Sequence, residues 1–112
     1  MIGTSAGQNN ITGDFNIFIG ESAGINETGY NKLHIGPAFG NRPHYHPSLI
    51  YGEFDNNLLR VNGTLHISET AKLEPLAAAP TCATGDMGTL YADTGGALYF
   101  CNGTAWKTVQ LN

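Results

Sequence analysis

Two histidines, His44 and His46, have the clearest metal-binding spacing in this sequence, with only Tyr45 between them. Alternate residues of an extended segment lie on one side of it, so both imidazoles would share a face. If three copies of the chain met on an axis, the pairs together would offer an octahedral set of nitrogen ligands for iron, nickel or zinc. The alternative is a pair of solvent-exposed histidines in a proline-bracketed loop.

The two cysteines, Cys82 and Cys101, lie in the same C-terminal segment. An even pair in a short, loop-rich segment favours a disulfide and an oxidising location. Two free thiols are the alternative.

The other polar residues do not form a catalytic pattern in the sequence. His34 and His66 are isolated on strand faces, where we expect surface or interface positions. The nearest pair of carboxylates, Glu53 and Asp55, falls in a turn, and we can assemble no nucleophile, base and orienting group. We therefore expect no enzymatic activity, and no cofactor other than a metal ion at His44 and His46.

Several aromatic residues could contact a ligand, because tyrosine rings can stack on the apolar faces of sugars. Tyr30, Tyr45 and Tyr51 are the candidates. The alternative is that they pack between subunits. For Trp106 we expect such packing, either between subunits or under the C-terminal cap.

The composition favours short strands and turns. The chain has 112 residues, of which 15 are glycine and 12% are charged, with a net charge of −4. Frequent Gly and Pro limit helix length. Lys and Arg do not cluster, which argues against nucleic acid as a partner, and no apolar run is long enough for a membrane span.

The elements that position these residues begin with a repeat. Ile-Gly recurs at Ile2-Gly3, Ile19-Gly20 and Ile35-Gly36, that is, after 17 and then 16 residues. A short fixed period indicates stacked coils that must cover one another. Alternation along each strand predicts one set of inward residues and another set facing outward or toward a neighbouring subunit. The inward set is Ile17, Ile19, Leu33 and Ile35, the outward set is Phe18 and His34, and turns are expected at Gly13, Gly20, Gly29 and Gly36.

The phrase Thr-Gly, four or five residues, then Ile-Gly-x-x-Ala-Gly resembles the head repeats of trimeric autotransporter adhesins. It is also similar to repeats of phage tail fibres and of large bacterial surface proteins with endosialidase-type chaperones. The resemblance implies a left-handed parallel β-roll with three copies around one axis. It also favours metal binding at His44 and His46, since phage fibre tips use His-x-His.

The rest of the chain divides by composition. We expect β-roll repeats over 1–40, a connector over 41–48, a β-strand segment over 49–70, a linker over 71–80 and a disulfide-stapled β-meander over 81–112. Within the third segment, the alternation from Leu59 to Ile67 predicts a bulged strand, or two strands joined at Asn62-Gly63. The fold expected is all-β: trimeric β-roll or β-solenoid repeats, then intertwined strands and a small meander.

These features lead to one main functional hypothesis and one alternative. The first is a structural segment of an extracellular homotrimeric fibre or adhesin, on a cell surface or a virion, that contributes to attachment. The alternative is a lectin-like module that binds a cell-surface glycan or protein receptor. Because Met1 abuts a repeat directly, we interpret the chain as cut from a longer array, against the alternative of a natural start.

Overall fold

The computed structural model describes residues 1–37 and 48–110. The fold is all-β, as expected, with two sheets in two compact units, Met1–His66 and Ile67–Asn112. No helix in the described residues has the length and apolar character needed to cross a membrane.

The first unit contains a four-stranded sheet. Its strands are β1 (Ile17–Ile19), β2 (Lys32–Ile35), β3 (Ile50–Glu53) and β4 (Leu58–Val61), in the order β1-β2-β3-β4. The first pair is parallel and the other two pairs are antiparallel. The last strand ends at Val61, so the strand predicted to continue to Ile67 is not formed. Asn62 instead uses its backbone and side-chain N–H groups to bind Leu49 O and Ser48 O, each at 2.8 Å.

Successive repeats lie side by side in register. Ile2 pairs in parallel with Ile19, and Ile19 with Ile35. The amide of Gly20 donates to Ile2 O at 2.7 Å, and that of Gly36 donates to Ile19 O at 2.9 Å. Gly20 has φ +120° at this crossing, and a Cβ there would come within 2.9 Å of the Gly36 backbone. Glycine is therefore needed for the repeats to approach this closely.

The expected inward and outward faces of the repeats are reversed. Phe18 is 0% exposed, whereas Ile17 is 46% exposed and Ile19, Leu33 and Ile35 are half-buried. The physical reason lies in two glycines of neighbouring turns, Gly7 and Gly24, whose missing side chains leave the space that the Phe18 ring fills. Burying the ring in this space places the isoleucines on the opposite face of the sheet.

The second unit holds a three-stranded antiparallel sheet in chain order. Its strands are β5 (Leu90–Ala92), β6 (Leu98–Cys101) and β7 (Trp106–Thr108), preceded by a 3-10 turn at Thr84–Asp86. The predicted disulfide is confirmed: Cys82 and Cys101 are joined, with their Cα atoms 5.6 Å apart.

Candidate functional site

The four-stranded sheet has one face that is covered by its own chain. Strand register aligns Phe18, His34, Tyr51 and Arg60 across β1 to β4. The His34 ring is edge-on to Phe18 at 5.4 Å and to Tyr51 at 5.1 Å between centroids. The Arg60 guanidinium lies 5.8 Å from the centre of the Tyr51 ring. Cross-strand contacts of this kind stabilise a sheet and fix its register.

His34 forms the centre of a hydrogen-bonded chain. Its Nε2 lies 3.4 Å from Glu27 Oε2 and its Nδ1 lies 3.1 Å from Ser48 Oγ. A carboxylate can only accept, so in the neutral ring Nε2–H donates to Glu27 and the Ser48 hydroxyl donates to Nδ1. Sequence analysis finds no such hydroxyl–imidazole–carboxylate set, because these common residue types lie 7 and 14 positions apart without a motif.

The burial of Ser48 decides what this chain of groups does. Serine beside histidine and a carboxylate is the arrangement that activates a hydroxyl nucleophile. Ser48 is 3% exposed, however, so a substrate does not reach its hydroxyl in this conformation. The contacts instead connect β2 to the turn that contains Glu27 and to the residues before β3, which fixes the covered face. The expectation that the protein is not an enzyme stays a prediction.

Glu53 ends β3 and has two hydrogen-bond donors and one ion-pair partner. It accepts hydrogen bonds from the Tyr51 hydroxyl at 2.7 Å and from the Asn56 amide, and Lys32 Nζ lies 3.9 Å away. The hydrogen bond from Asn56, followed by that from Tyr51, lowers the pKa of Glu53. Burial, followed by the hydrogen bond to Glu53, raises the pKa of Tyr51 to about 12. These bonds hold the β3–β4 turn against the sheet.

The opposite face of the sheet is apolar throughout. Register places two rows on it, Ile17–Leu33–Gly52–Leu59 and Ile19–Ile35–Ile50–Val61. The residues on its edge strands are exposed to solvent: Ile17 is 46% exposed and Leu59 is 66% exposed. Ile2, which pairs with Ile19 and is 66% exposed, extends the apolar area. We call these two rows the apolar face; it is the surface of this unit whose residue types favour contact with another protein surface.

A recess lies beside Gly52, where the apolar face meets the turn between β3 and β4. The pocket there measures about 260 Å³ and is open to solvent. Five of its seven lining residues are Leu33, Gly52, Phe54, Leu58 and Leu59, and the other two, Glu53 and Asn57, are polar.

The second unit is organised around an aromatic cluster. Tyr91 stacks on Tyr99 with ring centroids 4.9 Å apart, and Trp106 packs edge-on against Tyr91 at 4.6 Å. The indole N–H of Trp106 donates to Pro80 O at 2.8 Å. Trp106 thus packs on the C-terminal strands, as expected. At the β5–β6 turn, the amide of Ala97 and the hydroxyl of Tyr99 donate to Asp93, and these bonds lower its pKa.

The predicted site residues have different outcomes. His44, His46 and Tyr45 lie outside the described residues, so metal binding there stays a prediction. Elsewhere in the described chain, no group of three or more His, Cys, Asp or Glu residues could hold a metal ion. Tyr30 is exposed, whereas Tyr51 is half-buried with its hydroxyl on Glu53. Of the isolated histidines, His66 is exposed, and His34 is half-buried with its ring bonded to Ser48 and Glu27.

Comparison of the chain with protein-family models, with curated proteins and with solved structures found no match.

Proposed function

We propose that this chain is a structural segment of an extracellular homotrimeric fibre or adhesin. The observation that carries the proposal is the apolar face, which the described parts of the same chain leave wet at Ile17 and Leu59. Leaving one large apolar side chain in water forfeits about 1.5–3 kcal/mol. Several such losses are large against the roughly 5–15 kcal/mol that stabilises a typical domain. Association of copies through this face would recover them.

Two further features support this function. The in-register parallel pairing of Ile2, Ile19 and Ile35 is the ladder that stacked β-roll or β-solenoid coils require. The Cys82–Cys101 disulfide is typical of proteins in oxidising surroundings outside the cytosol. The threefold order itself rests on the resemblance of the Ile-Gly-x-x-Ala-Gly repeats to adhesin heads.

The test is the molar mass of the purified chain by size exclusion with light scattering at micromolar concentration. We expect a trimer. Leu59→Glu places a charge on the apolar face at an exposed edge-strand position, so we expect a folded monomer. Leu73→Glu is the matched control, since Leu73 is also exposed but lies in the other unit, and it should stay trimeric. A wild-type chain that is monomeric and melts cooperatively would contradict the proposal.

A further inference from the structure

The flat part of the apolar face is too small to hold copies together without additional contacts. The face is three strand spacings wide and three residues long, so its flat area is roughly 150 Å². Stable protein interfaces bury about 800 Å² on each partner. An assembly through this face therefore needs contacts that extend beyond the sheet.

Phe15 is a large exposed residue at the β1 edge of the sheet that can supply such a contact. It precedes β1, it is 78% exposed, and its backbone has φ +61°. A bulky residue with positive φ is a genuine outlier, and such strain is concentrated at functional positions. The equivalent position in the next repeat holds Asn31, also at φ +61°, a residue type that tolerates this conformation. The chain thus places an aromatic ring in water at a position that favours asparagine.

The Gly52 recess lies at the same end of the sheet as Phe15. Register aligns Ile17, two residues after Phe15, with Leu33 and Gly52, which line the recess. Gly52 lies two strands away from β1, about 10 Å across the sheet. A phenylalanine ring buries about 150–250 Å² when it fills an apolar site. The pocket of about 260 Å³ is large enough for such a ring, and its lining is apolar except for Glu53 and Asn57.

We propose that Phe15 of one copy inserts into the Gly52 recess of the next copy; this inference rests on the proposed function. In a ring or filament, each copy inserts its Phe15 into one neighbour and receives the Phe15 of another. In a twofold dimer, the two copies insert Phe15 into each other, because residue i contacts residue j and residue j contacts residue i. The contact fits both arrangements, and the threefold order rests on the resemblance of the repeats to adhesin heads.

The first test replaces Phe15 with asparagine, the residue of the equivalent position, which relieves the backbone and should leave the monomer folded. We expect Phe15→Asn to weaken self-association by about 10-fold or more, as loss of a buried aromatic anchor does. Ile11→Asn is the control, because Ile11 is 91% exposed but its counterpart Glu27 contacts His34 on the covered face. An equal effect of the control, or no effect of Phe15→Asn on a wild-type trimer, would overturn the inference.

A second test does not depend on a loss of binding. A photoreactive benzoyl-phenylalanine in place of Phe15 is irradiated in an assembly of isotope-labelled and unlabelled chains. We expect crosslinks between chains that map to Phe54, Leu58 or Leu59. Inter-chain crosslinks at other sites would show that the chain assembles, as the proposed function requires, but not through this contact. A monomeric wild type would refute both.

Discussion

The ring of Phe18 occupies the space that a side chain on Gly24 would need. A Cβ on Gly24 would lie 2.7 Å from two ring carbons of Phe18, and the glycine has φ +61°. The same ring closes over Gly7 from the neighbouring repeat. The packing of one aromatic residue between two turns thus fixes how consecutive repeats stack.

Gly24→Ala should destabilise the first unit by about 1–3 kcal/mol, since it combines overpacking with an unfavourable backbone conformation. Thermal and urea unfolding followed by circular dichroism measure the loss. Gly85→Ala is the control: nothing lies within 4 Å of an added Cβ there, so we expect a change within about 0.5 kcal/mol. Equal effects of the two substitutions would contradict the packing role of Gly24.

Phe18 and Ile17 should respond differently to truncation, although they are adjacent. Phe18→Ala removes a fully buried ring and should cost about 3–5 kcal/mol in the free energy of unfolding. Ile17→Ala should leave the folding of the chain nearly unchanged and weaken its self-association, because Ile17 lies on the apolar face. Unfolding curves combined with light scattering separate the two effects. If Ile17→Ala strongly destabilised the monomer, Ile17 would have to face the covered side of the sheet, as the alternation alone predicts.

This difference shows what the sequence can and cannot predict. Glycine spacing predicts the strand at Ile17–Ile19 and its stacking on the next repeat. It does not predict which face is covered, because Ile17, Phe18 and Ile19 are all apolar and period-two alternation makes no choice among them. Two glycines in other turns, Gly7 and Gly24, make that choice through contacts that form only after folding.

The candidate site was predictable to a similar extent. The Cys82–Cys101 bridge follows from cysteine count and spacing. The Ser48–His34–Glu27 chain could not be predicted, because an isolated histidine in the sequence does not show which residues of other turns will bond to it. The recess beside Gly52 is not predictable from the sequence either, because a glycine in a strand does not reveal which residues line the space next to it.

Acid should destabilise the first unit partly through Glu53. Hydrogen bonds lower the pKa of Glu53 in the folded protein, so the unfolded chain binds a proton first as pH falls. The contribution of Glu53 is therefore complete above its unfolded pKa of about 4.3 and is lost as pH falls through the folded value. Glu53→Gln should flatten the stability profile in that window, measured by urea unfolding at several pH values. Glu69→Gln, at an exposed position in the other unit, should leave it unchanged.

Alkali should report on Tyr51. Its pKa of about 12 in the folded state exceeds the unfolded value of about 10, so the neutral phenol stabilises the fold. This contribution is complete below about pH 10 and disappears as pH rises toward 12. In a spectroscopic titration of tyrosinate, the component that ionises at the highest pH should be absent from Tyr51→Phe. Glu53→Gln should move that component to lower pH by removing the negative charge beside the phenol, although glutamine still offers the Tyr51 hydroxyl an acceptor oxygen. Unchanged titration curves in both variants would contradict the Tyr51–Glu53 contact.

Reduction of the disulfide should loosen the second unit. The bridge closes a separation of 19 residues, and the chain-entropy relation gives about 3 kcal/mol for a loop of this order. Near-ultraviolet circular dichroism of the Tyr91–Trp106 cluster, with and without reductant, should show a lower melting temperature in the reduced protein. Cys82→Ser with Cys101→Ala should reproduce the shift and abolish any effect of reductant. Identical melting of the two forms would show that the aromatic cluster holds this unit without the bridge.

The register of Ile2, Ile19 and Ile35 also bears on how such a protein changes length in evolution. Each repeat presents the next with the same backbone groups, and glycine stands at each crossing. Duplication of one whole repeat in the gene would add one strand spacing, about 4.8 Å, without changing any existing contact. The two spacings here are 17 and 16 residues and the glycines keep their crossings, whereas a partial repeat would add no further crossing. The length of the ladder is therefore expected to vary in whole repeats, so that gene duplication sets its reach in discrete steps.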